Sequence, residues 1–186
     1  MRTRSFTLQA HSTTPALWVE SLSVTIERSS ERELRFIYVL RGDVQQIEIP
    51  SSAAPERTDD LWRHTCFEGF LRTRGAPAYY EFNFSPSSQW AAYAFESYRS
   101  GMTPLPLQQT PSIRCDHDSL QLTLTASIAI PETLAQPWEL GLSAVVRNRS
   151  GTISYLALRH GPGKPDFHHE DSFCAAFPHN AATTSR

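Results

Sequence analysis

Tyr79-Tyr80-Glu81-Phe82-Asn83-Phe84-Ser85-Pro86-Ser87-Ser88-Gln89-Trp90 is the stretch whose reading decides the fold class. Successive side chains of an extended chain point to opposite faces, so Tyr80, Phe82 and Phe84 share one side and Tyr79, Glu81, Asn83 and Ser85 the other. The first set is a core face. Pro86-Ser87-Ser88 has the chemistry of a tight turn, and Gln89 to Glu96 returns as a second aromatic strand. Just upstream, Phe67, Gly69 and Leu71 alternate with Cys66, Glu68 and Phe70 over the span from Cys66 to Arg72.

The same period of two recurs outward in both directions. Leu22, Val24 and Ile26 alternate with polar residues, and after the turn Ser29-Ser30-Glu31-Arg32 so do Leu34, Phe36, Tyr38 and Leu40, which predicts a hairpin. Leu120, Leu122, Leu124, Ala126 and Ile128 predict another strand. A further hairpin is predicted from Leu140–Arg147 through Asn148-Arg149-Ser150-Gly151 into Thr152–Arg159. Pro104, Pro106 and Pro111 break the segment between into a surface connection. No window of helical length carries a sustained i, i+3, i+4, i+7 stripe. About ten short strands, each with one apolar side to bury, lead to the expectation of an all-β, two-sheet antiparallel β-sandwich.

The totals agree with that class. A chain of 186 residues with 40% hydrophobic and 11% aromatic content suffices for one core. The expected division is one domain over residues 1–178 and a disordered tail at 179–186. A net charge of −2 supplies no basic field for phosphates, which excludes nucleic acid as an expected partner. The opening Met-Arg-Thr-Arg-Ser-Phe-Thr-Leu is not followed by an apolar export segment, and no stretch approaches transmembrane length. The expected location is therefore cytoplasmic, with no membrane partner. Cys66, Cys115 and Cys174 lack close Cys-x-x-Cys spacing and read as buried free thiols.

If the polar-bearing sides of the aromatic strands align, Glu68, Glu81 and Asn83 come together, and Arg147 in a late strand could join them. Two carboxylates, an amide and a guanidinium beside aromatic rings can exchange hydrogen bonds with hydroxyls and stack on the C–H faces of a sugar. The alternative is that this is the solvated side of a half-buried sheet.

Three blocks bear on that choice. Arg57-Thr58-Asp59-Asp60-Leu61-Trp62-Arg63-His64-Thr65-Cys66-Phe67-Glu68, the stretch from Tyr80 to Trp90, and His160-Gly161-Pro162-Gly163-Lys164-Pro165-Asp166-Phe167-His168 resemble, in that order, the recurrent blocks of DOMON-like proteins, a group similar to family-nine carbohydrate-binding modules. The resemblance implies a jelly-roll-like sandwich whose relatives bind sugars or haem. It matches Trp62 and Glu68 to a tryptophan that stacks on a pyranose and a glutamate that accepts hydroxyl protons. The pattern's later arginine and second stacking tryptophan have no evident counterpart here. The resulting expectation is a non-catalytic module that needs no cofactor and binds a small sugar or polyol through Trp62, Glu68, Glu81, Asn83 and Arg147, with a protein partner as the alternative occupant.

Other chemistries have their own candidates. Haem would require axial ligands such as Met102 with His160 or His168. Asp166, His168 and Glu170 at two-residue spacing could offer metal ligands; the alternative is that Asp166 and His168 hydrogen-bond loop backbone and fasten that segment. In the resemblance, Asp59 and Asp60 are the nearest positions for a structural calcium. His64 and Cys66 share one side of a strand, as a base and thiol nucleophile would, but the Phe-rich surroundings favour an inert thiol.

Overall fold

The computed structural model describes residues 2–30, 32–134 and 137–177, so the expected tail at 179–186 lies outside the described residues. Strands form wherever the sequence alternates. In chain order they are β1 (Arg2–Ala10), β2 (Val19–Ser30), β3 (Glu33–Gly42), β4 (Cys66–Thr73), β5 (Tyr79–Phe84), β6 (Trp90–Phe95), β7 (Thr103–Pro104), β8 (Ser112–His117), β9 (Gln121–Ala129), β10 (Trp138–Arg147), β11 (Ile153–Ala157) and β12 (Ala175–Phe177). The helical turns among the described residues are short 3₁₀ segments at Val44–Gln46, Leu61–Arg63 and Glu170–Ser172. No described helix is long and apolar enough to cross a membrane.

The strand pairs are antiparallel and make one hydrogen-bonded path, β7-β6-β5-β4-β10-β11-β1-β2-β3-β9-β8, with β12 beside β10. The expectation of two sheets is met only in that this single sheet curls until its halves face each other. β1 makes the corner. Its body pairs with β2 from Arg2↔Arg28 to Leu8↔Leu22, while Gln9 and Ala10 at its end pair with Ala157 and Leu156 of β11.

The core fills the space inside the curl. Phe36 of β3 lies 5.4 Å from Phe84 of β5, and Tyr38 of β3 lies 5.0 Å from Phe67 of β4, measured between ring centroids. The Tyr38 hydroxyl donates across the core to the Glu68 carbonyl at 2.8 Å, which satisfies a buried polar group. Burying each such phenyl ring contributes about 2–3 kcal/mol. Gly69 of β4 has no side chain because Phe36 occupies the space: a Cβ there would stand 2.8 Å from the ring.

The predicted β2–β3 hairpin pairs Leu22 with Leu40 and Ile26 with Phe36, and the β10–β11 hairpin pairs Val146 with Ser154. Leu120 is an exception to its predicted strand. It is exposed in a turn where the Asp118 carboxylate accepts hydrogen bonds from the backbone N–H groups of Leu120 and Gln121, both at 2.8 Å. All three cysteines are free, but only Cys66 is buried; Cys115 is half-buried and Cys174 exposed. β1 and β8 escaped the sequence reading because one face of each is exposed and the other only partly covered.

The outer face of β4, β5, β6 and β10 is covered as well. Cys66, Phe70, Tyr79, Phe95 and Val145 pack with Phe167 and Phe173 from the segment after β11 into a second cluster. Consequently β4 is buried at six consecutive positions from Cys66 to Leu71. The side of β4 and β5 that could have been solvated is the floor of an enclosed layer.

Candidate functional site

Register brings the acidic residues together. Glu68 of β4 stands directly opposite Asn83 of β5 and, on its other side, opposite Ser143 of β10. Glu81 is two residues from Asn83 on the same face of β5. The Asn83 amide donates to Glu81 Oε1 at 2.7 Å, and the Ser143 hydroxyl donates to Glu68 Oε2 at 3.3 Å. Glu68 is 3% exposed, Glu81 7% and Asn83 1%.

A cavity of about 640 Å³ opens over this floor. Glu68 and Glu81 line it from the sheet, and Tyr93, Phe95, Tyr155 and Phe167 are among its aromatic walls. Trp62, in the 3₁₀ turn Leu61–Arg63, stands at the rim. It is 45% exposed, and the Arg63 guanidinium lies 4.8 Å from its ring centroid. The turn is entered through Asp60, whose φ of 61° is left-handed; an aspartate tolerates that region better than most residues.

Two guanidinium groups reach the cavity, each already paired. Arg57 bonds Asp59 at 2.8 Å and lies over the Tyr93 ring, while its buried Nε has no acceptor. Arg99, at a φ of 50°, bonds Asp166 at 2.8 Å. The Tyr98 hydroxyl also donates to Asp166, as does the backbone N–H of His168. Asp166 and His168 thus fasten the loop after β11, as the loop-fixing reading expected. Among the described residues no group of three or more His, Cys, Asp or Glu side chains converges to hold a metal ion. Asp59 is engaged by Arg57 and Tyr93, and Asp60 lies 3.4 Å from Arg63.

Burial dominates the electrostatics. It pushes the Glu68 carboxyl well above the usual range, and the neighbouring Glu81 adds to the shift; the Ser143 hydrogen bond and the Arg99 charge only oppose it. Glu81 is raised by burial too, against Asn83 and Arg99. His168 is pushed down to about 4, first by burial and then by Arg99. It is therefore neutral near pH 7, and its 3.7 Å approach to Glu81 is not an ion pair there. The Tyr79 hydroxyl accepts from the Arg99 backbone N–H at 3.2 Å and shares a hydrogen bond of 2.8 Å with His168 Nδ1. His168 Nε2 faces Glu81 and the cavity.

Trp62, Glu68 and Glu81 line the cavity as a group; Asn83 supports Glu81 from behind. Arg147 is not brought to them. Val145 pairs with Cys66 at the start of β4, so Arg147 runs past that strand and its guanidinium meets Glu48 at 3.0 Å. His64 joins the same cluster, 2.8 Å from Glu48, and the Cys66 thiol is buried beside Asn83 with its pKa raised by burial. Among the described residues no base is paired with that thiol. Met102 and His168 both border the cavity, whereas His160 bonds the Gln9 carbonyl elsewhere. Arg57, Arg99, Tyr93, Tyr155 and Phe167 were not found by sequence reasoning. Only Arg57 and Phe167 sat within recognisable blocks.

No protein-family model matches the sequence, and no curated protein matches it. Among solved structures, a candidate carbohydrate-binding protein from Bacteroides uniformis is similar, with a TM-score of 0.64 at 13% identity over 93% of this chain and 84% of the other. A family-nine carbohydrate-binding module from Caldicellulosiruptor kristjanssonii, solved with glucose, gives a TM-score of 0.47 at 12% identity over 84% of this chain and 76% of that one. The first likeness is one of fold alone.

Proposed function

We propose that this chain is a non-catalytic binding module that holds a small sugar or polyol in the cavity over β4 and β5. One observation carries the proposal: a tryptophan left 45% exposed borders the same cavity as two buried carboxyl groups. A scaffold with no ligand would gain by covering that ring. A pyranose has both surfaces this arrangement asks for, since its C–H face stacks on an indole and its hydroxyls bond to oxygen acceptors. Trp62 supplies the stacking surface, Glu68 and Glu81 accept hydroxyl protons, and Asn83 positions Glu81. Arg147 has no part in this arrangement. The absence of turnover is supported by the buried, protonated Cys66 thiol, while His64 is engaged by Glu48.

The test is a thermal-shift screen with mono- and disaccharides, followed by calorimetry on Trp62→Ala. A ligand that binds only the folded state raises the melting temperature. One sugar class should give a shift, and Trp62→Ala should weaken its binding about tenfold, the loss of roughly 1.4 kcal/mol of stacking and burial. The variant's own melting temperature should stay near that of the wild type. Undiminished binding by Trp62→Ala would move the site elsewhere. A screen without any sugar shift would favour a protein partner on this face.

A further inference from the structure

The cavity contains an imbalance that a neutral polyol leaves in place. Five carboxyl groups border it (Asp59, Asp60, Asp166, Glu68 and Glu81) against two guanidinium groups. Arg57 is held by Asp59 and Arg99 by Asp166, so both cations are committed to carboxylates other than the buried pair. His168, the remaining basic side chain at the cavity, is neutral. Glu68 Oε1 and Glu81 Oε2 accept no hydrogen bond among the described residues, although both side chains are more than nine-tenths buried. Around this pair stand the faces and edges of aromatic rings, a surround that favours organic cations.

We propose that the ligand carries a protonated amine, which sits between Glu68 and Glu81 under the aromatic walls, and that the cognate class is therefore the amino sugars. This rests on the sugar-binding proposal for the same cavity and narrows it. An ammonium group donates three hydrogen bonds and accepts none, which suits two carboxylate oxygens lacking donors. A neutral hydroxyl brings no counter-charge and leaves the pair to its proton, whereas an ammonium gains charge-assisted hydrogen bonds from the ionised form.

A proton stands in for the cation when the site is free. Arg99, His168, Tyr79, Tyr93 and Cys66 face the two carboxyl groups from the surrounding elements. Of these only Arg99 is charged at neutral pH, and it favours ionisation. Burial still outweighs it, so the empty pair holds a proton to a higher pH than free carboxylates do, and an arriving ammonium favours its release. Binding should release this proton and tighten from mildly acidic to neutral pH.

The experiment is titration calorimetry with hexoses, the matching 2-amino-2-deoxyhexoses, their N-acetyl derivatives and cyclohexylamine, repeated in buffers of different ionisation enthalpy. The expected result is an amino sugar bound at least about tenfold more tightly than its hexose and its N-acetyl derivative, with proton release. Glu68→Gln and Glu81→Gln preserve shape and should each remove that preference and the proton release. Equal binding of hexose and amino sugar by the wild-type protein overturns the amine inference and leaves the sugar reading standing. Binding of cyclohexylamine without any sugar overturns the sugar reading and keeps the cation. Should the Gln variants fold poorly, proton release by the wild-type protein decides alone: binding without it overturns the proposal.

Discussion

A carboxyl group that folding removes from water leaves a mark on stability as a function of pH. The Glu68 pKa is higher in the folded chain than in the unfolded one, because burial and Glu81 both raise it. Below the unfolded value, about 4.3, both states are protonated and nothing is lost; above it the unfolded chain ionises first, and stability falls until the folded value is passed. Glu68→Gln removes that term. Denaturant unfolding of the two proteins should show the variant gaining on the wild type as pH rises from about 4 to 7; a constant difference would contradict the assignment. Gly69→Ala tests the opposite side of the same strand. Its Cβ would meet Phe36 at 2.8 Å, and the overpacking should cost about 1–3 kcal/mol in the same measurement. Alternation made Glu68 and Glu81 legible in the sequence, and Trp62 was legible only through the resemblance of its block. Arg147 was misplaced because alternation assigns a face but not the register against a distant strand, and the register carries it beyond the end of β4.

The site's outer wall consists of connections, not strands. The residues after β6, including Arg99, and the segment after β11, including Asp166 and His168, meet on β5 at the Tyr79 hydroxyl, and Arg99 and Tyr98 also join them directly through Asp166. Tyr79→Phe keeps the ring stacked on Phe95, whose centroid is 4.6 Å away, and deletes both hydrogen bonds. Hydrogen exchange should accelerate at residues 97–101 and 165–169 while β4 and β5 stay protected. Acceleration spread over the whole sheet would mean that the hydroxyl supports the fold instead. These connections explain what periodicity could not supply: Arg57, Arg99 and Phe167 reach the cavity from irregular segments, where no repeat indicates which way a side chain turns. The central hairpins could be read because each strand has one apolar face. β1 and β8 lack a fully buried one, and β4, buried on both faces, gave a pattern that fitted a solvated face or a site equally well.

At the level of the whole molecule, the curl of the sheet explains why a strand count close to the expected ten came with a different connectivity. Sequence alternation requires that two apolar faces meet; it does not say whether the faces belong to separate sheets or to one sheet joined at a corner such as β1. A sheet that curls without closing keeps free margins, and among the described residues its path ends at β7 and β8. Margins of this kind invite chain-to-chain zippering into fibrils. The β7 margin is two residues long and ends in Pro104, which has no N–H to offer, and the β8 margin displays Arg114, Asp116 and His117 to solvent. The fold thus carries its own insulation against polymerisation. Pro104→Val combined with Arg114→Val and Asp116→Val should strip it away, and light scattering on mild heating should then report aggregates from a protein that is otherwise natively folded; a triple variant that stays monomeric would place the protection in the curl itself.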